Sequence, residues 1–174
     1  MKERVNPDPE VSRYMLDDDG QFPNSGLFLL IYKKAFLHGT SPHDIEKTFA
    51  ANNWKNSWRN GIYDYHHYHS VTHEVLGVYD GSASVQFGGP KGIILTIETG
   101  DVIVIPAGLA HKCIEGDKDF KCVGAYPDGK DYDILKGDPS ERFEAEENIK
   151  NVPLPDNDPV YGLDGPLILN WEMQ

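Results

Sequence analysis

The chain has 174 residues, of which 39% are hydrophobic and 25% charged, with 17 Gly and 12 Pro. That composition fits a turn-rich globular protein and excludes a disordered or fibrous one. A formal net charge of -12 repels nucleic-acid phosphates and anionic lipid headgroups, so neither a nucleic acid nor a membrane is an expected partner.

The opening MKERVNPDPEVSRYM lacks the apolar stretch of a signal peptide, and LFLLIY is strand-sized, too short for a membrane span. A cytoplasmic protein is expected. Residues 1–26, with LDDDGQFPNSG, carry clustered turn formers and predict an irregular arm. The apolar run from Leu27 to Tyr32 predicts the first strand. In TSPHDIEKTFAANNW, Ser41 can cap, Pro42 suits the first turn, and Asp44 falls in the capping-box region. Ile45, Thr48 and Phe49 share one face, which predicts an amphipathic helix over about 41–53.

From Gly61 to Tyr126 the pattern changes to short apolar or alternating runs, cut by turns at YDGS, FGGPKG and ETGD. Strands so close together predict antiparallel pairing of neighbours in a sandwich or closed barrel. Cys113 and Cys122 flank the polar EGDKD, and a hairpin centred between Asp117 and Lys118 would set them opposite each other. In a reducing compartment both are expected as thiols packing across that hairpin. DPSERFEAEENIK, 138–150, predicts a short solvated helix. The Pro-rich chain that follows ends in LILNW, expected to dock on the barrel or on a partner subunit. One domain is expected over 1–174, with an arm at 1–26 and an extension at 138–174.

The stretch GIYDYHHYHSVTHEVLGVYDG, 61–81, holds four histidines within eight positions. In an extended strand residues two apart point the same way, so His67 and His69 share a face while His66 and Tyr68 take the other. Two imidazoles about 7 Å apart along a strand can converge on one cation if other strands bring further ligands. Glu74 and His111 are the best candidates. GDVIVIPAGLAHKC runs from an apolar strand into Pro106 and Gly108, which turn the chain and present His111 at the start of the next strand. His66 lies on the wrong face, and His73 sits in the turn before Glu74, so each is expected beside the site or exposed, not as a ligand. Tyr63 and Tyr65 share the parity of His67. Core packing is their favoured role, with pocket lining the alternative.

These residues resemble the two motifs of the cupins. Gly61, His67, His69, Glu74 and Gly81 stand at the spacings of the first motif, and Gly100, Pro106, Gly108 and His111 at those of the second, with 18 residues between. Glu115 stands where the family usually has Asn. The chain looks most like the small single-domain bacterial cupins. That resemblance implies an all-β fold with minor helices, a double-stranded β-helix or jelly-roll barrel, with a metal in its interior. It implies His67, His69, Glu74 and His111 as ligands of a divalent transition metal ion, Fe, Mn, Ni, Zn or Cu, a choice that donor type leaves open. A metal-dependent enzyme of oxygenase or isomerase class, acting on a small polar molecule, is the expected function. The alternative is a non-catalytic binding or sensor module. Basic residues near the motifs are scattered, chiefly Arg59, Lys91 and Lys112, which disfavours phosphorylated sugars. Cupins are commonly dimers, so a homodimer is expected, with the run around Trp171 as a contact.

Overall fold

The computed structural model describes residues 4–172. Its frame is two facing antiparallel sheets. The larger takes, in spatial order, β1 (Glu10–Tyr14), β2 (Leu29–Lys33), β7 (Val102–Ile105), β4 (Glu74–Asp80), β9 (Lys121–Pro127) and β3 (Trp54–Asn60). The smaller takes β6 (Ile93–Glu98), β5 (Ser82–Phe87) and β8 (His111–Gly116). This is an all-β jelly roll with three short helices among the described residues: α1 (Pro42–Ala51), α2 (Arg142–Asn151) and α3 (Pro166–Glu172).

The inner strands of the large sheet are buried on both faces, which is why they read as unbroken apolar runs such as LLIY and VIVI. Alternation sorts each strand. Leu29, Ile31, Leu76, Val78, Ile103 and Ile105 look inward, against Ala83, Val85, Phe87 and Ile97 of the small sheet. Leu30, Tyr32, Val75, Val102, Val104 and Val123 look outward, where Ile45 and Phe49 of α1 and Leu167 and Trp171 of α3 cover them. The LILNW run therefore docks on its own barrel, as part of α3. Trp171 is buried within its own chain, 2% exposed.

Asp158, fully buried, ties this tail down. Its carboxylate accepts from the Tyr32 hydroxyl at 2.5 Å and from the backbone N–H groups of Val160 at 2.8 Å and Leu167 at 3.0 Å. α1 begins as predicted, with the Ser41 hydroxyl accepting from the Asp44 N–H at 3.1 Å. α2 follows a single 3-10 turn at Pro139–Glu141 that Asp138 caps.

Three expectations fail on topology. The arm contains β1, which pairs along its whole length with β2 from Glu10↔Lys33 to Tyr14↔Leu29. From β4 to β9, neighbours in sequence pair only at β5–β6, because β4→β5, β6→β7, β7→β8 and β8→β9 all cross between the sheets. The first of these crossings rests on Gly81 alone, at φ +71°, with Phe120 backbone 3.1 Å from where a Cβ would stand. The third is the cysteine hairpin: β8 and β9 lie in different sheets, so Cys113 stands opposite Val85, not Cys122. Both cysteines are free thiols, and burial pushes both thiol pKa values up. Among the described residues no helix is long and apolar enough to cross a membrane.

Candidate metal centre

The histidine-rich segment is not a strand. Between β3 and β4 the chain is irregular, yet it is pinned at alternate residues. His67 and His111 exchange backbone hydrogen bonds at 3.2 and 2.9 Å, the His69 carbonyl accepts from Gly108 at 2.8 Å, and Tyr68 pairs with Leu135. Pinning keeps the expected parity. Tyr68 turns away into a small cluster with Phe22, Ala110 and Ala145, and His66 follows it, its ring 5.7 Å from that of Phe22. The other face carries His67 and His69 to the barrel interior, where His111 at the start of β8 and Glu74 at the start of β4 meet them.

All four side chains are at most 5% exposed. One nitrogen from each imidazole lies within 4.8 Å of the others. Glu74 Oε1 is 3.4 Å from His69 Nε2 and 3.3 Å from His111 Nε2. Behind the rings the arrangement repeats: Nδ1 of His67 faces the Tyr65 carbonyl at 3.0 Å, Nδ1 of His69 the Asp133 carbonyl at 2.5 Å, and Nδ1 of His111 the Leu109 carbonyl at 3.1 Å. A carbonyl only accepts, so each Nδ1 carries a proton and donates it, and whenever the ring is neutral its Nε2 keeps a lone pair for the shared space.

Charge follows from burial. Desolvation, helped by the neighbouring His111, pulls His67 down to about 3, so that imidazole is neutral at ordinary pH. For His69, burial opposes protonation, but the Glu74 charge and hydrogen bond outweigh it and raise the pKa. Burial would likewise push Glu74 up, yet the charge of His69 and the hydrogen bonds from His111 and His69 hold it below the ordinary carboxylate range. An ionised carboxylate and three imidazole Nε2 atoms, with no thiolate, are a donor set that could hold a divalent transition metal displacing any proton between them.

A cavity of about 150 Å³ lies over this cluster. Tyr63 and Tyr132, 46% and 40% exposed, stand at its rim beside His67 and His69, with ring separations of 5.1 and 5.3 Å. Core packing therefore does not describe Tyr63. Tyr65 stacks on Tyr63 at 5.1 Å, with the Lys136 ammonium 4.6 Å from its ring centroid, and does not line the cavity. His73, expected beside the site or exposed, is neither. It is buried on the outer face of the sheet, where its Nδ1 accepts from the Ala107 N–H at 2.9 Å and its ring lies 4.7 Å from that of Trp171.

Sequence reasoning missed Trp58, Tyr126 and Tyr132. Tyr126 had a signal: Cys122, Gly124 and Tyr126 alternate along β9, and Cys122 is an inward residue. Asp133, whose backbone carbonyl orients His69, had none.

A family profile described as Cupin matches residues 55–125. The chain is also 43% identical over 162 residues to a Bacillus subtilis (strain 168) protein described as uncharacterized protein YjlB, covering 93% of this chain and 97% of the relative. The chain is a cupin. Solved structures resemble this cupin at low identity. A DUF861 family protein from Thermotoga maritima is 20% identical, with a TM-score of 0.37, over 55% of this chain and 96% of the other. An RmlC from Streptococcus suis, solved with dTDP-D-xylose, is 12% identical, with a TM-score of 0.42, over 83% of this cupin and 94% of its own chain.

Proposed function

We propose that this cupin is a metal-dependent enzyme of oxygenase or isomerase class, acting on a small polar molecule, with His67, His69, Glu74 and His111 holding the ion. The observation that carries the reading is the convergence of one nitrogen from each of three imidazoles and one carboxylate oxygen on the floor of a single cavity. A bound metal would act there as a Lewis acid, polarising an oxygen of the substrate. The protein's part is to keep His67 neutral, to hold the three rings in place through the Tyr65, Asp133 and Leu109 carbonyls, and to shield the floor from bulk water.

Size and charge narrow the substrate. A cavity of about 150 Å³ matches the volume that takes up benzene in an engineered protein core, so a nucleotide would not fit inside it. Arg59 is the cationic residue of the lining, and Glu46 already engages it at 2.7 Å, while Lys91 and Lys112 lie outside the lining. This arrangement leaves a phosphorylated substrate without a partner. A cytoplasmic homodimer belongs to the same proposal, and a monomer mass by light scattering would remove the dimer.

Metal analysis of the purified protein, repeated on His67→Ala and His111→Ala, tests the central claim. Both variants should lose the ion, and unchanged content in both would refute the assignment. Turnover or oxygen uptake in a screen of small chelating compounds then separates enzyme from sensor, because a sensor is stabilised by its ligand without making product.

A further inference from the structure

The two oxygens of Glu74 have different neighbours. Oε1 faces His69 and His111, whereas Oε2 accepts a hydrogen bond of 2.9 Å from the Tyr126 hydroxyl. Trp58 Nε1 lies 2.7 Å from that same hydroxyl. An indole N–H can only donate, so it occupies a lone pair of the phenol oxygen, and the phenol proton is left for Glu74. The chain of donors runs one way, from Trp58 through Tyr126 to the carboxylate. Tyr126 is fully buried and Glu74 3% exposed, so water has little access to compete for either bond.

We propose that Tyr126, locked by Trp58, is a positioning residue that limits Glu74 to one metal-facing oxygen and so keeps a place on the ion open for substrate. The proposal rests on the metal-binding reading above and adds a residue outside the ligand set. With the phenol in place Oε2 is engaged. Without it, both carboxylate oxygens are free to turn toward the ion, and the second would take the place a substrate needs.

The sheet is built to permit this arrangement. Trp58 on β3 lies across Gly124 of β9, its register partner. A Cβ at Gly124 would stand 2.2 Å from Trp58 Cε2 and 2.6 Å from its Nε1, so any side chain there displaces the indole and its donor. Gly124 touches no ligand. Its open Cα side is filled by Trp58, which makes it a remote control on the same chain of bonds.

Cobalt(II) reports on this directly, since its visible spectrum follows coordination number. Wild type, Tyr126→Phe, Trp58→Phe and Gly124→Ala would each be loaded with cobalt(II), titrated against a competing chelator, and then titrated with azide as a small anion probe for an open position. Loss of a residue that orients a metal ligand costs about ten- to a hundred-fold in metal affinity. Tyr126→Phe should show a loss of that size, a spectrum of higher coordination and a weakened azide response. Trp58→Phe and Gly124→Ala should shift the same three readouts in the same direction by less. A residue that merely fills space would leave spectrum and azide response untouched. Tyr126→Phe with the affinity, spectrum and azide response of wild type overturns the proposal, and if that variant does not fold, a wild-type result in Trp58→Phe does so equally. Should folded wild type take up no cobalt(II), the metal-binding reading itself fails and this inference falls with it.

Discussion

Replacing His73 by Gln should flatten the acid limb of the stability curve, because His73 is a buried base held neutral. Its Nδ1 accepts from the Ala107 N–H at 2.9 Å, so the proton sits on Nε2, which donates to the Pro153 carbonyl at 3.2 Å. The ring packs on Trp171, and none of these neighbours is ionisable. Burial pulls the pKa from 6.5 to about 4. Protonation would add a charge with no counterion and would break the bond from Ala107. Between pH 6.5 and 4 the unfolded chain therefore binds more protons than the folded one, and stability falls as pH falls. Above that window the full stability is present, and below it the loss is complete. A shift of that size corresponds to about 3 kcal/mol at about 1.4 kcal/mol per unit. Urea unfolding of wild type and His73→Gln at half-unit steps across the window reads it. Other buried histidines titrate in both proteins, so the difference between the two curves isolates His73. It should open by about 3 kcal/mol on acidification, and parallel curves would refute the assignment of a buried, neutral His73.

Other outcomes follow from the same packing. Asp158→Ala strands the Tyr32 hydroxyl and the backbone donors of Val160 and Leu167 in the interior, and at about 1–3 kcal/mol per orphaned group it should cost at least about 3 kcal/mol in urea unfolding and open the tail to protease. Tyr63→Ala, at an exposed rim position, should change stability by no more than about 0.5 kcal/mol while weakening ligand-induced stabilisation in a thermal melt. Toward an aromatic disulfide reagent at neutral pH, the half-buried Cys113 should react slowly, and Cys122 only as fast as the barrel opens. Chelation of a resident ion should lower the melting temperature of wild type and leave His67→Ala unmoved, since a ligand at a hundred times its Kd adds about 2.7 kcal/mol.

The convergence of His67, His69, Glu74 and His111 was legible because residues that punctuate the chain stand near them. Pro106 and Gly108 end β7 and launch β8 at His111, and Glu74 opens β4 just after the turn. Side-chain identity and backbone position are written together there. The edge strands were not legible. β1 and β3 expose most of their residues, so they lack the apolar alternation that marks a half-buried strand, and β3 is further broken by a register shift between Lys55 and Trp58. Pairing order was hidden for another reason. A two-strand turn and a crossing between sheets use the same glycine-rich residues, and only the competition for partners across the whole barrel decides between them.

The polar support of the site hides in plain view. Trp58 and Tyr126 look like any aromatic residues on strands, and their apolar mass does serve the packing of the barrel wall. What distinguishes them is one N–H and one O–H in series, aimed at the far oxygen of Glu74. No spacing rule marks that aim, because Trp58 and Tyr126 lie 68 positions apart and meet only through the β3–β9 ladder. Gly124 is the one trace of it in the chain: a glycine in the middle of a buried strand weakens the ladder, and it is tolerated where another ring must lie flat against the backbone. An unexplained glycine two residues from an inward tyrosine is thus a sign that an aromatic donor from the neighbouring strand crosses over it.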